Sequence, residues 1–127
     1  MIYFTGDVHG QIDDLLRRLD YKKIPHTADQ IIVLLGDVGV NYNRTLNEYV
    51  HKQKLQDSGR TYFCIHGNHE MRPENIETYH EKSNEFGTFY VEDNYPNLLF
   101  AKDGEIYNLD NRKVLVLGGA YSVDKWY

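Results

Sequence analysis

Cysteine is nearly missing from this chain: Cys64 stands alone, so no intrachain disulfide can form. It lies within the apolar run Tyr62-Phe63-Cys64-Ile65, where a small buried hydrophobe is a better reading than a reactive thiol. Long hydrophobic stretches are missing too. No segment reaches the roughly 20 apolar residues that a membrane-crossing helix needs, and no basic stretch leads into an apolar signal core at the N-terminus. Met1-Ile2-Tyr3-Phe4 reads instead as a first strand, and a cytoplasmic location follows by default. There is no lysine- or arginine-rich block either. With a formal charge of −5 and a pI near 5.6, the chain is a poor match for a nucleic-acid backbone, although a small site could still accept a nucleotide. Repeats, low-complexity tracts and linkers are also absent. What remains is 127 residues with 41% apolar content, the size and composition of one small ordered domain.

The hydrophobic pattern predicts alternating strands and helices. Ile2-Tyr3-Phe4-Thr5 is a short apolar run stopped by Gly6. Ile12, Leu15, Leu16 and Leu19 then follow the spacing of one helical face. On the other side, Asp13 with Arg17 and Asp14 with Arg18 form two i,i+4 pairs. Ile31-Ile32-Val33-Leu34-Leu35 has the unbroken apolar character of a strand covered on both faces. A second helix is expected from Thr45, which forms a capping-box pattern with Glu48, and its apolar stripe is read as Leu46, Tyr49 and Val50. Thr61 to Ile65 is the third strand, and Pro73 is placed to open a third helix carrying Ile76 and Tyr79. Beyond residue 87 the pattern turns to short strands: Thr88 to Val91, Leu98 to Ala101, Glu105 to Leu109 and Lys113 to Leu117. Asp103-Gly104 and Asp110-Asn111 read as hairpin turns. The fold class is α/β: a βαβαβ unit followed by a β-meander. The abrupt aromatic end at Trp126-Tyr127 leads to the expectation of one domain over residues 1–127 that continues past its C-terminus.

Three strings interrupt this pattern, each just after a predicted strand. They are Gly6-Asp7-Val8-His9-Gly10, Gly36-Asp37-Val38-Gly39 and Gly67-Asn68-His69-Glu70. Asp37 follows Asp7 by 30 residues and Asn68 follows Asp37 by 31, close to the length of one βαβ unit. Right-handed crossovers then bring all three strand ends to the same side of a parallel sheet, where open α/β sheets build their ligand sites. Asp7, His9, Asp37, Asn68 and His69 thereby converge: hard oxygen and imidazole donors of the kind a divalent metal needs to act on a phosphate ester. The first and third strings would each arise by chance in roughly one chain in a thousand of this length. His26, His51 and His80 lie among polar residues and read as surface histidines. His66, beside the third string, reads as shaping its loop rather than as a ligand.

In the order of these strings the chain resembles the N-terminal half of the calcineurin-like metallophosphoesterases. The resemblance implies the start of a β-sandwich flanked by helices, with two metal ions in the complete family site. It implies that Asp7 and His9 bind the first ion, that Asp37 bridges both, that Asn68 binds the second and touches phosphate, and that His69 protonates the leaving group. Hydrolysis would then proceed by a metal-activated hydroxide. Such ions lie roughly 3.5–4 Å apart and clamp the attacking and leaving oxygens. Carboxylate, imidazole and amide donors suit Mn, Fe, Zn or Ni, without choosing among them. Gln11 and Arg72 are further matches to the branch that includes serine/threonine phosphatases and dinucleoside tetraphosphatases.

Two departures shape the expectation. Where protein phosphatases of that branch carry an aspartate and an arginine, this chain has Val40 and Asn41, leaving Arg44 as the candidate phosphate grip. The later histidine motifs of the family have no counterpart, because no histidine follows His80. At most one ion is therefore expected to bind well, and the chain alone should have little or no activity. The substrate class is a phosphorylated protein or nucleotide. Apolar sheet surface left uncovered invites self-association. The alternatives are a non-catalytic metal- or partner-binding module on the same fold, or a structural domain with vestigial motifs. The retained His69 favours the enzyme.

Overall fold

The computed structural model describes residues 1–118 except Asp7, Asp37, Asn43, Arg44 and residues 68–70. The elements run β1 (Ile2–Gly6), α1 (Ile12–Tyr21), β2 (Ile31–Leu35), α2 (Leu46–Asp57), β3 (Thr61–Ile65), a 3-10 turn (Pro73–Asn75), β4 (Tyr79–Asn84), β5 (Gly87–Glu92), β6 (Leu98–Ala101), β7 (Ile106–Leu109) and β8 (Arg112–Leu115). Six strands form one sheet in the order β1-β2-β3-β6-β5-β4, and β7-β8 form a separate hairpin. β1, β2, β3 and β6 are parallel, while β5 and β4 continue the sheet antiparallel.

Alternation along the strands sends side chains to two faces. One face carries Ile32, Leu34, Tyr62, Cys64, Leu98 and Phe100 and packs under α1 and α2. The other carries Ile31, Val33, Phe63, Phe89, Leu99 and Ala101 and is covered by Tyr107, Leu109 and Val116 from the hairpin and the residues after it. Tyr107 anchors that cover. Its ring meets Phe63 edge-on at 4.8 Å and 75°, its hydroxyl donates to the Thr88 carbonyl, and it accepts the Lys102 N–H. Gly87 is required beneath it, because a Cβ there would run into the Tyr107 ring. Cys64 is fully buried, as read.

Several local expectations are corrected. The capping box forms as read, with Thr45 and Glu48 bonded both ways. Of the stripe read for α2, Tyr49 packs against the core, but Leu46 is 81% and Val50 45% exposed, and the buried residues of the helix are Glu48, Lys52 and Leu55. Those inward charges are tolerated because each has a partner: Glu48 accepts backbone N–H groups at the helix start, and Lys52 donates to buried Glu92 on β5. Pro73 opens no α-helix. One 3-10 turn forms there, and Tyr79 instead begins β4, whose whole length pairs with β5. Asp103-Gly104 is not a hairpin turn, since it joins β6 and β7, which lie in different sheets. Asp110-Asn111 is one, with φ values of +52° and +65° that suit the twist of a two-residue hairpin. Asp14 pairs with Arg18 as expected, but Asp13 turns to Lys54 on α2 (2.9 Å).

Candidate metal centre

The ends of β1, β2 and β3 are flush. Gly6 pairs with Leu35, and Leu35 pairs with Ile65, so the chain leaves all three parallel strands at one level of one sheet edge. Asp7, Asp37, Arg44, Asn68 and His69 fall outside the described residues, so the site is read from their neighbours. His9 is described, and it is exposed at the end of the first loop.

The loops touch through their backbones. Gly10 N–H donates to the Val38 carbonyl at 2.9 Å, joining the first string to the second. At Gly39 (φ +89°) a Cβ would collide with the backbone of His9 and Gly10, so only glycine permits this approach. The second string also lies near the third, more loosely: the Cα of Gly67 is 3.5 Å from where a Cβ on Gly36 would stand, an ordinary contact. Met71 N–H, just beyond the third string, donates to the Asn41 carbonyl at 2.8 Å. Gly10 and Gly39 are thus the tight contact points between the first and second motifs.

Around this core the polar side chains are ordered. Tyr42 Oη lies 3.1 Å from His9 Nδ1. Asn41, fully buried, donates through Nδ2 to Tyr79 Oη at 3.0 Å, while its Oδ1 meets no donor among the described residues. Burial drives the Tyr79 phenol far above its ordinary pKa, so it stays protonated. Buried His66 shares a 2.8 Å hydrogen bond with Asp103, whose other oxygen accepts Gly118 N–H at 2.8 Å. Burial pushes the Asp103 carboxyl upward, but the bonds from His66 and Gly118 and the charge of Arg72 outweigh it, and its pKa falls below the usual carboxylate value. His66 thus ties the end of β3 to the β6–β7 connection, while the loop it was read to shape lies in residues 68–70, outside the described residues.

His26 and His80 are largely exposed, in line with surface histidines. His51, read as a surface histidine, is instead half-buried with its ring against Gly10, and its Nδ1 has no hydrogen-bond partner among the described residues. Its helical spacing from Glu48 and Leu55, three and four residues away, was the available signal.

Among the described residues, no three His, Cys, Asp or Glu side chains gather as a metal-sized group. Of the expected ligands, His9 alone belongs to that described set. The fit of a metal therefore rests on the donor chemistry and on the contact between the loops that carry it. Both are favourable: carboxylates, imidazole and amide suit a divalent transition ion, and His9 has one ring nitrogen already engaged, as metal-ligating histidines do.

Flush parallel strands with touching, glycine-hinged polar loops define an α/β protein whose candidate site falls at the carboxyl edge of its sheet. The family model of the calcineurin-like phosphoesterases matches residues 1–127, and the chain belongs to that family. No curated protein and no solved structure matches it. No helix among the described residues is long and apolar enough to cross a membrane.

Proposed function

We propose that this chain is a metal-dependent phosphoesterase unit of one domain, with Asp7, His9 and Asp37 holding one divalent ion and Asp37 with Asn68 contributing to a second. The observation that carries the reading is the flush ending of β1, β2 and β3 with their loops in backbone contact. When bound, the ions supply Lewis-acid charge to the phosphoryl oxygens and an acidified water. The chain's own groups do the rest. Asn68 and Arg44 hold the phosphate, and His69 delivers a proton to the departing alkoxide, a contribution of typically 10²–10⁴ in rate. The substrate is a phosphorylated protein or nucleotide. Gln11 and Arg72 favour the branch with the serine/threonine phosphatases and dinucleoside tetraphosphatases. Manganese is the first ion to test, and the single buried Cys64 is in keeping with a cytoplasmic, reducing compartment.

The second reading, a non-catalytic metal- or partner-binding module, is favoured by one observation: no histidine follows His80. The second ion is then left with Asp37 and Asn68. The test is hydrolysis of p-nitrophenyl phosphate by Mn²⁺-loaded protein, compared with Asp37→Ala and His69→Ala. Activity lost in both variants supports the enzyme. Metal uptake that depends on Asp37, without any activity, supports the module.

A further inference from the structure

His9 and Tyr42 lie 33 residues apart in sequence and belong to different loops, yet Tyr42 Oη stands 3.1 Å from His9 Nδ1. Each partner is anchored from its own side. Tyr42 N–H donates to Glu48 Oε2 at 3.0 Å, and the other oxygen of Glu48 accepts Thr45 N–H at 3.1 Å. Glu48 is buried in the first turn of α2, so the Tyr42 backbone is tied to a helix end. His9 has a φ of +48°, a left-handed conformation uncommon for a non-glycine residue. The Gly10 to Val38 hydrogen bond, one residue on, fixes the backbone beside it.

We propose that Tyr42 is a positioning residue for His9 as a metal ligand, fixing its tautomer and ring orientation through Nδ1. The proposal rests on the metallophosphoesterase reading above. A neutral imidazole carries one proton, and the nitrogen that binds a metal must be the bare one. With Nδ1–H donating to Tyr42 Oη, the Nε2 lone pair is the ligating one. With Tyr42 O–H donating to Nδ1 instead, the proton sits on Nε2 and ligation there is blocked. Ion binding through Nε2 thus selects the first arrangement, and a partner already within 3.1 Å lowers the cost of holding the ring still. The phenol also reaches from the second string's loop to the first string's ligand. It adds a side-chain tie to the backbone contact at Gly39, so the same two loops are joined twice.

Tyr42→Phe removes the one oxygen and keeps the ring, and thermal melting checks that the fold is retained. Mn²⁺ affinity is measured by calorimetric titration for the wild type, Tyr42→Phe, His9→Ala, the double variant and Asp37→Ala. Tyr42→Phe is expected to weaken Mn²⁺ binding roughly tenfold, the lower end for losing a partner behind a ligating histidine. In the His9→Ala background the same change is expected to have no further effect. Tyr42→Phe binding like the wild type overturns the proposal. So does a loss that persists without His9, because Tyr42 would then act on the ion by another route. If His9→Ala and Asp37→Ala both bind like the wild type, the metal reading itself fails and takes this proposal with it. That pattern is distinct from Tyr42→Phe alone matching the wild type.

Discussion

Leu34 and Leu35 are neighbours in β2, yet Leu34 is wholly buried and Leu35 is 47% exposed. The two faces of the sheet differ in the same way. The face toward Leu34 lies under two helices, and its rim is closed even by charge: Lys52 buried with Glu92, and fully buried Arg60 paired with half-exposed Asp20. The face toward Leu35 is covered by the β7-β8 hairpin and the residues after it as far as Ile31 and Val33 on β2, leaving Leu35 at the strand end and Phe4, 60% exposed, on the β1 side. The outer side of the hairpin shows Ile106 and Leu115, cross-strand neighbours that are each 60% exposed. One strand sequence therefore serves a closed face and a partly open one. Strong apolar character in a strand tells how much surface needs a cover, not whether the cover is present.

The comparison can be broken first on the closed face. Lys52→Ala should destabilise by about 3–5 kcal/mol in chemical denaturation, because Glu92 is left buried without its cation. Three tyrosine rings, Tyr49, Tyr79 and Tyr95, surround the Lys52 ammonium within 5.0–5.9 Å, so its removal also empties an aromatic cage. Next comes the adjacent pair. Leu34→Ala should cost about 2–5 kcal/mol, and Leu35→Ala about 1 kcal/mol or less. Equal losses would show that the open face is covered in solution.

Acid should act on the closed face as well. The hydrogen bond from Arg60 lowers the Asp20 pKa from its usual value near 3.8 and outweighs the opposing effect of burial. The folded state then binds the proton less readily than the unfolded chain. The stabilisation is present above the unfolded value and disappears as pH falls through the lower, folded value. Asp20→Asn should flatten that part of the acid-unfolding profile, while leaving fully buried Arg60 with its bonds to the Ile24 and Pro25 carbonyls. The smallest effect on stability is expected at Phe4→Ser, within about 0.5 kcal/mol. Its readout is association: sedimentation at increasing concentration should show less self-association than the wild type.

Much of this was legible beforehand. Ile31 to Leu35, apolar throughout, announced a strand covered on both sides, and Thr45 with Glu48 announced the start of α2. The three glycine-flanked strings announced which strand ends would meet. What escaped the sequence depended on partners distant along the chain. Glu48 and Lys52 face inward because Tyr42, Thr45 and Glu92 receive them, and no hydrophobic stripe could reveal that. Tyr79 seemed helical beside Pro73 until β5 offered it a ladder. Tyr42 was one of 11 tyrosines with nothing local to set it apart.

The most direct test of the metal-centre account is the stoichiometry of Mn²⁺ binding to the wild-type chain and to Asp37→Ala. The account predicts at most one tightly held ion per wild-type chain and none in the variant, because Asp37 is the ligand proposed to serve both ions. Two tightly held ions in the wild type, or uptake that survives the loss of Asp37, would contradict it.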